Sequence, residues 1–194
     1  MENYVILEAK PIKDIRGKFY IPAYQRGYRW ERTQVKTLLN DLYQCMEANG
    51  QEKDYCLQPV VVQKKGELQY DLIDGQQRLT TIYILLRYAQ QNFETDYAEQ
   101  NFETEFSFEY ETREKTQAFL ENMDPQLAQT NIDFFHIYQA YTTIKDWLEE
   151  TFPADTDSHL YKLCNYVKEK VKVIWYEVGA EADPIALFTR LNIG

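Results

Sequence analysis

The sequence predicts a mixed α+β fold: a small sheet with flanking helices and an attached helical region. Three observations predict it. Residues 55–73 hold two runs rich in β-formers, YCLQPVVVQ and LQYDLI, joined by Lys64-Lys65-Gly66-Glu67, the pattern of a hairpin. Longer segments at 35–46, 76–92, 131–150 and 157–169 carry apolar residues at helical spacing. A last β-branched run, VKVIWYEV at 171–178, lies far along the chain and is placed to return to the sheet. This order is not that of a regular doubly wound sheet. With 194 residues and 44% apolar content, the chain can bury one substantial core.

Taken in order, residues 4–7 form a short apolar opening of strand character. Residues 10–17 (KPIKDIRG) read as a helical turn stopped by Gly17, and 18–22 (KFYIP) as an extended piece ended by Pro22. AYQRGYRWERT is a loop dense in Tyr, Trp and Arg. Thr33 is placed to cap a helix whose inner side is Val35, Leu38, Leu39, Leu42, Tyr43 and Met46, with Asn49-Gly50 as its stop. In the helix at 76–92, Leu79, Ile82, Tyr83, Leu86 and Gln90 describe one face. Residues 93–112 are acidic and aromatic without a clean period. A helix is expected from Arg113 to Met123, ended by Pro125. The helix at 131–150 turns Ile132, Phe135, Tyr138, Tyr141, Ile144, Trp147 and Leu148 inward, and a short helix over 183–191 follows the last strand.

Charge and cysteine content narrow the function. The net charge is −10, but residues 1–92 carry 13 Lys/Arg against 11 Asp/Glu, while residues 93–194 carry 8 against 20. A nucleic-acid binder is normally basic overall, so any phosphate contact is expected in the first half. Cys45, Cys56 and Cys164 are far apart and form no CxxC pair, which argues against a disulfide framework or a zinc site. The start, MENYVILEAK, has no basic run leading into an apolar stretch, and no run approaches a membrane span. A cytoplasmic protein with no membrane partner is expected. The two histidines, His136 and His159, do not make a metal nuclease or a Ser/His/Asp set.

The segment that carries chemistry is Asp74-Gly75-Gln76-Gln77-Arg78-Leu79-Thr80-Thr81, at a strand-to-helix junction. Gly75 permits a tight turn and close approach of a ligand. Gln76, Gln77 and Arg78 fall in the first helical turn, where free N–H groups and the positive dipole end favour an anion. Arg78 adds a planar fork that grips phosphate. Asp74 can cap the helix, hold Mg²⁺ through water, or orient an attacking water. Thr80 and Thr81 offer hydroxyls. An ordinary N-cap with a solvated Gln-Gln-Arg is the competing reading of the same residues, and no GxxxxGK[ST] loop is present. A second cluster, Tyr24-Gln25-Arg26-Gly27-Tyr28-Arg29-Trp30, mixes arginine with aromatic rings. That composition suits a stacked base beside a phosphate, or equally an aromatic loop packed on the core with its arginines paired to acids. Ala186–Asn192 reads by pattern as a helix end.

These segments resemble a known family. IPAYQRGYRW followed by LIDGQQRLTTIYILL, then NIDFFHIYQAYTTIKDWL and VIWYEVGAEADPIALFTRLNIG in the same order, is similar to the N-terminal domain of GmrSD-type, modification-dependent restriction enzymes. The resemblance implies a ParB/sulfiredoxin-like fold and nucleoside triphosphate binding and hydrolysis with Mg²⁺. On it, Asp74, Gln77 and Arg78 are expected to be catalytic. Gly75, Gln76, Thr80, Thr81, Tyr24, Gln25 and Arg26 are expected to bind the nucleotide, and Arg190 and Asn192 match the family's tail pattern. It also implies a division into a nucleotide-binding core at 1–95, a helical region at 96–170, and a returning strand and helix at 171–194. The family normally continues beyond such a tail into a nuclease domain that cuts phage DNA bearing modified bases, so a fragment of a longer protein is expected. DNA would be met through the full-length protein. The alternative is a DNA-sensing module without catalysis, in which Arg29 and Arg32, with Arg16, Lys18 and Arg26 nearby, contact the backbone. A regulatory domain with a degenerate site is the third reading.

Overall fold

The computed structural model describes residues 5–48, 53–93 and 101–192. Among the described residues, runs of β-branched and aromatic residues form six strands: β1 (Val5–Pro11), β2 (Gly17–Ile21), β3 (Tyr55–Gly66), β4 (Gln69–Asp74), β5 (Phe106–Tyr110) and β6 (Val171–Val178). Segments of helical period form α1 (Arg32–Ala48), α2 (Gln76–Asn92), α3 (Thr116–Glu121), α4 (Ile132–Thr151), α5 (Thr156–Lys170) and α6 (Pro184–Asn192). The fold is the expected mixed α/β class. The stop at Asn49-Gly50 and the side chain of Asn192 lie outside the described residues, as does part of the acidic stretch after Phe93.

All six strands join one sheet, in the order β1-β6-β3-β4-β2-β5. The late strand β6 lies inside the sheet, antiparallel to β1 and parallel to β3. The β3–β4 hairpin is antiparallel, β4 runs parallel to β2, and β2 parallel to β5. Parallel neighbours need long crossovers, and helices supply them: α1 lies within the connection from β2 to β4, and α2 within those from β2 to β5 and from β3 to β6.

One face of the sheet carries a layer of aromatic rings. Phe19, Tyr70 and Trp175 meet pairwise at centroid distances of 5.7, 5.3 and 6.0 Å, and Phe19 reaches Phe106 at 5.9 Å. Such pairs add about 0.5–1.5 kcal/mol each beyond the area they bury. Helix α2 lies over this layer: Tyr83 contacts Phe106 and Phe108, while Tyr88 points the other way, against Tyr141 of α4. With protein on both sides, α2 is buried around most of its circumference, including Thr80, Thr81, Ile84 and Leu85. A single inner face, as the periodicity suggests, is therefore too narrow a description. On the opposite face of the sheet Val61, Ile73 and Val178 form a smaller cluster covered by Leu187 and Phe188 of α6. Among the described residues no helix is long and apolar enough to cross a membrane.

Five local expectations are corrected. In α4 the buried side carries Phe134, Ile137, Ala140, Ile144, Trp147 and Leu148, while Ile132 and Phe135 are exposed. Lys10 and Pro11 belong to β1, because they pair with Val173 and Lys172, and only Ile12–Asp14 make a helical turn. Helix α1 begins at Arg32, so Thr33 lies inside it. The first turn is closed instead by Val35 N–H donating to Glu31 O and Glu31 N–H donating to the Gln34 side chain. β3 runs on to Gly66, which moves the hairpin turn to Glu67-Leu68, where Leu68 takes a left-handed φ of 53°. Helix α3 starts only at Thr116, because a tight turn precedes it in which Thr116 N–H donates to Arg113 O at 3.0 Å.

Candidate functional site

The site grows from the end of β4. Asp74 is the last strand residue, Gly75 stands at φ 96°, ψ 0°, and α2 starts at Gln76. Left-handed backbone is cheap only for glycine. Space requires glycine as well, since a Cβ at position 75 would lie 2.9 Å from Val60 Cγ2 and 3.1 Å from Val60 Cα. A Gly75→Ala variant combines a disfavoured φ with overpacking against β3. It is expected to cost about 2–3 kcal/mol, read as a lowered midpoint in urea denaturation.

The strand that crowds Gly75 is itself irregular. Its pairing with β6 passes from Leu57↔Val173 to Val60↔Trp175, so three steps on β3 match two on β6. Pro59 has no N–H to give the ladder, and a bulge is where a strand tolerates it. The bulge offers the Gln58 side chain and the Pro59 carbonyl to Arg78. Arg78 Nη1 donates to Gln58 Oε1 at 2.8 Å and Nη2 to Pro59 O at 3.0 Å. The nearest carboxylate, Asp74, is 3.9 Å away, too far for a hydrogen bond. The Arg78 side chain is 19% exposed. Burial lowers its pKa, and Asp74 only partly opposes that. Arg78 is thus a largely buried cation beside a helix N-terminus, held by neutral oxygens and incompletely neutralised.

The aromatic loop at 22–31 is pinned over this junction by amides from both sides. Gln25 Nε2 donates to Leu72 O on β4. Gln77 Nε2 donates to Gly27 O at 3.1 Å, while Gln77 Oε1 accepts from the N–H groups of Arg29 and Trp30 at 2.8 and 3.2 Å. Tyr28 is fully buried, its phenol 2.8 Å from the Thr81 hydroxyl, which in turn donates to Gln77 O. Burial pushes the Tyr28 phenol up, so it serves as a neutral donor. On its far side the loop meets α4, where Asp133 pairs with Arg29 and, at 2.7 Å, with Arg113 Nε. Gly27 makes room for that carboxylate: a Cβ there would stand 2.1 Å from Asp133 Oδ1.

Together these elements enclose a cavity of about 220 Å³ lined by Gln25, Arg26, Trp30, Asp74, Gly75, Gln76, Gln77, Arg78 and Phe188. The structure therefore brings the Asp74–Arg78 segment together with Gln25 and Arg26. Arg26 is exposed and has no ion-pair partner among the described residues. Tyr24 does not line the cavity. Its ring packs 5.3 Å from that of Phe188, which does. Thr80 and Thr81 are buried beneath the floor, and Gln76 turns inward to donate to Tyr110 Oη at 3.2 Å. Arg29 faces Asp133, and Arg32 pairs with Asp146 at 2.9 Å, so both arginines face acids of α4. Arg190 is exposed near the end of α6. Sequence reasoning does not find Asp133, Arg113, Gln58 or Phe188. All four reach the site from distant segments, and no spacing signals them.

The arrangement suits an anion: free N–H groups at the start of α2, two arginines, and aromatic rings at the rim. Among the described residues no group of three His, Cys, Asp or Glu side chains is placed to hold a metal, and Asp74 is the carboxylate that lines the cavity. The family model described as the GmrSD restriction endonuclease, N-terminal domain, matches residues 9–194. No curated protein matches the chain.

Proposed function

The chain belongs to the GmrSD restriction endonuclease N-terminal domain family, and from that premise we propose that it binds and hydrolyses a nucleoside triphosphate to gate a nuclease. DNA and a nuclease domain of the full-length protein are the partners this role requires. The observation that carries the reading is Arg78, a partly buried guanidinium beside the first turn of α2 that is hydrogen-bonded to neutral oxygens and stands 3.9 Å from the Asp74 carboxylate. Phosphate oxygens would complete it, with Arg26 approaching from the solvent side. Mg²⁺ fits the donor set on offer, since that ion commonly takes one or two carboxylates and fills its shell with phosphate and water. Asp74 would hold it, and its chemistry is to neutralise charge on the phosphates.

Hydrolysis joins a water oxygen to the γ-phosphorus and breaks the bond to the β-phosphate oxygen, releasing diphosphate nucleotide, phosphate and a proton. Asp74 orients that water, and Arg26 and Arg78 balance the charge on the phosphoryl oxygens. The loop at 22–31 is the element through which the site reaches the rest of the protein. It is tied to α2 by Gln77 and to α4 by Asp133, so a phosphate that moves α2 or Arg26 loads both ties. Calorimetric titration of ATP, GTP, CTP and UTP, with and without Mg²⁺, tests the proposal. Binding of at least one, strengthened by Mg²⁺, is expected. Absence of binding by all four in both conditions would reject it.

A further inference from the structure

A second cleft, of about 320 Å³, adjoins the first and lies between the start of α1 and the start of β3. The two clefts share Trp30 and Arg78, which form the partition between them. The phosphate-side cavity is smaller than the ~300–1,000 Å³ usual for sites that engulf a whole small molecule. A ligand seated there can extend along protein past Arg78 and Trp30 into the second cleft.

The second cleft has a different character. Trp30, Tyr55, Leu38 and Leu57 give it apolar and aromatic walls. Along its α1 side run Thr33, Thr37 and Asp41, spaced four apart and therefore on one stripe of the helix. Asp41 is exposed and unpaired among the described residues. Gln34 and Gln58 also border the cleft. Their amide oxygens are already engaged, by Glu31 N–H and by Arg78, which leaves their NH₂ groups as donors.

We propose that this cleft is the nucleobase subsite of the triphosphate site, and that its Asp41 carboxylate selects guanine. The inference rests on the nucleotide reading above. A carboxylate only accepts, and guanine presents two adjacent donors, N1–H and the N2 amino group, that match its two oxygens. The free amide NH₂ groups of Gln34 and Gln58 suit the O6 and N7 acceptors, and Trp30 supplies a face for stacking. Uracil meets the same carboxylate with one N–H flanked by two carbonyl oxygens, so it is repelled. Adenine offers one donor beside an acceptor.

The test is calorimetric titration of GTP, UTP and inorganic tripolyphosphate, each with Mg²⁺, into the chain and into Asp41→Asn. Paired recognition of a base edge carries discrimination of roughly tenfold or more. GTP is therefore expected to bind about tenfold tighter than UTP. Asp41→Asn should erase that gap while leaving tripolyphosphate affinity and the melting midpoint in place. Equal affinity for GTP and UTP in the unaltered chain, or a preference that survives Asp41→Asn, overturns the subsite. So does tripolyphosphate binding as tightly as GTP, an outcome that leaves the phosphate site standing. If tripolyphosphate and both nucleotides all fail to bind, the nucleotide reading falls and this inference with it.

Discussion

Arg78→Ala is expected to weaken triphosphate binding by roughly 10- to 150-fold while the domain stays folded. A hydrogen bond to a charged group contributes about 1.5–3 kcal/mol, and each 1.4 kcal/mol is tenfold in affinity. The effect belongs at the upper end because the Arg78 side chain is only 19% exposed and, among the described residues, no carboxylate lies within hydrogen-bonding distance. The ligand therefore does not have to displace a strong internal ion pair. Folding should suffer little. The protein partners of Arg78 are the Gln58 side chain and the Pro59 carbonyl, and losing two such contacts at a partly wet position costs about 1 kcal/mol. Arg78→Lys keeps the charge but not the fork, and should fall between the two. The measurement is a calorimetric Kd with a urea midpoint as control. A Kd within twofold of the unaltered chain, at an unchanged midpoint, would show that Arg78 serves the β3 bulge alone.

How much of this site is legible in the sequence depends on whether the signal is local. The Asp74-Gly75 junction is legible because a strand pattern, a glycine and a helical pattern follow one another within a few residues. What the side chains do there is less so. Gln25, Gln76 and Gln77 line the cavity as expected of ligand contacts, and their amides also hold Leu72, Tyr110 and the 27–30 backbone. An amide carries donors and an acceptor, so its type alone does not tell a strut from a ligand contact. Thr80 and Thr81 follow the motif in sequence, but protein packed on both sides of α2 buries both. Trp30 and Phe188 reach one cavity because α6, which follows β6, packs back against β4 beside the loop at 22–31, an arrangement invisible to spacing.

The fold shows the same division. The bounds of helix α2 and strand β6 match those read from the sequence, since each is a long run of one period. Strand β5 is missed, although FSFEY alternates strictly and its burial alternates with it at Phe106, Phe108 and Tyr110. Five residues are too short a window against the irregular acidic flanks, and the strand exists because β2 offers its edge. Lys10-Pro11 errs in the opposite sense. Locally it suits a turn, but pairing with β6 extends it. Long periodic elements are encoded locally, whereas edges and short strands are decided by their partners.

Asp133→Ala is expected to destabilise the domain by about 3 kcal/mol, a large part of the ~5–15 kcal/mol that holds a domain folded. The carboxylate is 6% exposed, and two guanidinium groups, Arg29 and Arg113, are turned onto it from the loop at 22–31 and from the turn after β5. Breaking a buried pair leaves charge without a partner and typically costs 3–5 kcal/mol. Here the arginines keep 26% and 22% exposure, so water screens part of the loss and the low end applies. Asp133 also sits in the first turn of α4, below the Asn131 cap, where the helix dipole favours a negative charge. If unpaired charge is the cause, Asp133→Leu combined with Arg29→Met and Arg113→Met should recover much of the loss, because apolar groups of similar size can replace a buried ionic cluster. Urea midpoints of the single and triple variants measure both effects. A loss under 1 kcal/mol for Asp133→Ala, or no recovery in the triple variant, would reject the ionic account. The loop would then be held by Gln77 and Tyr28 from the α2 side, and α4 would have no electrostatic hold on the candidate nucleotide site.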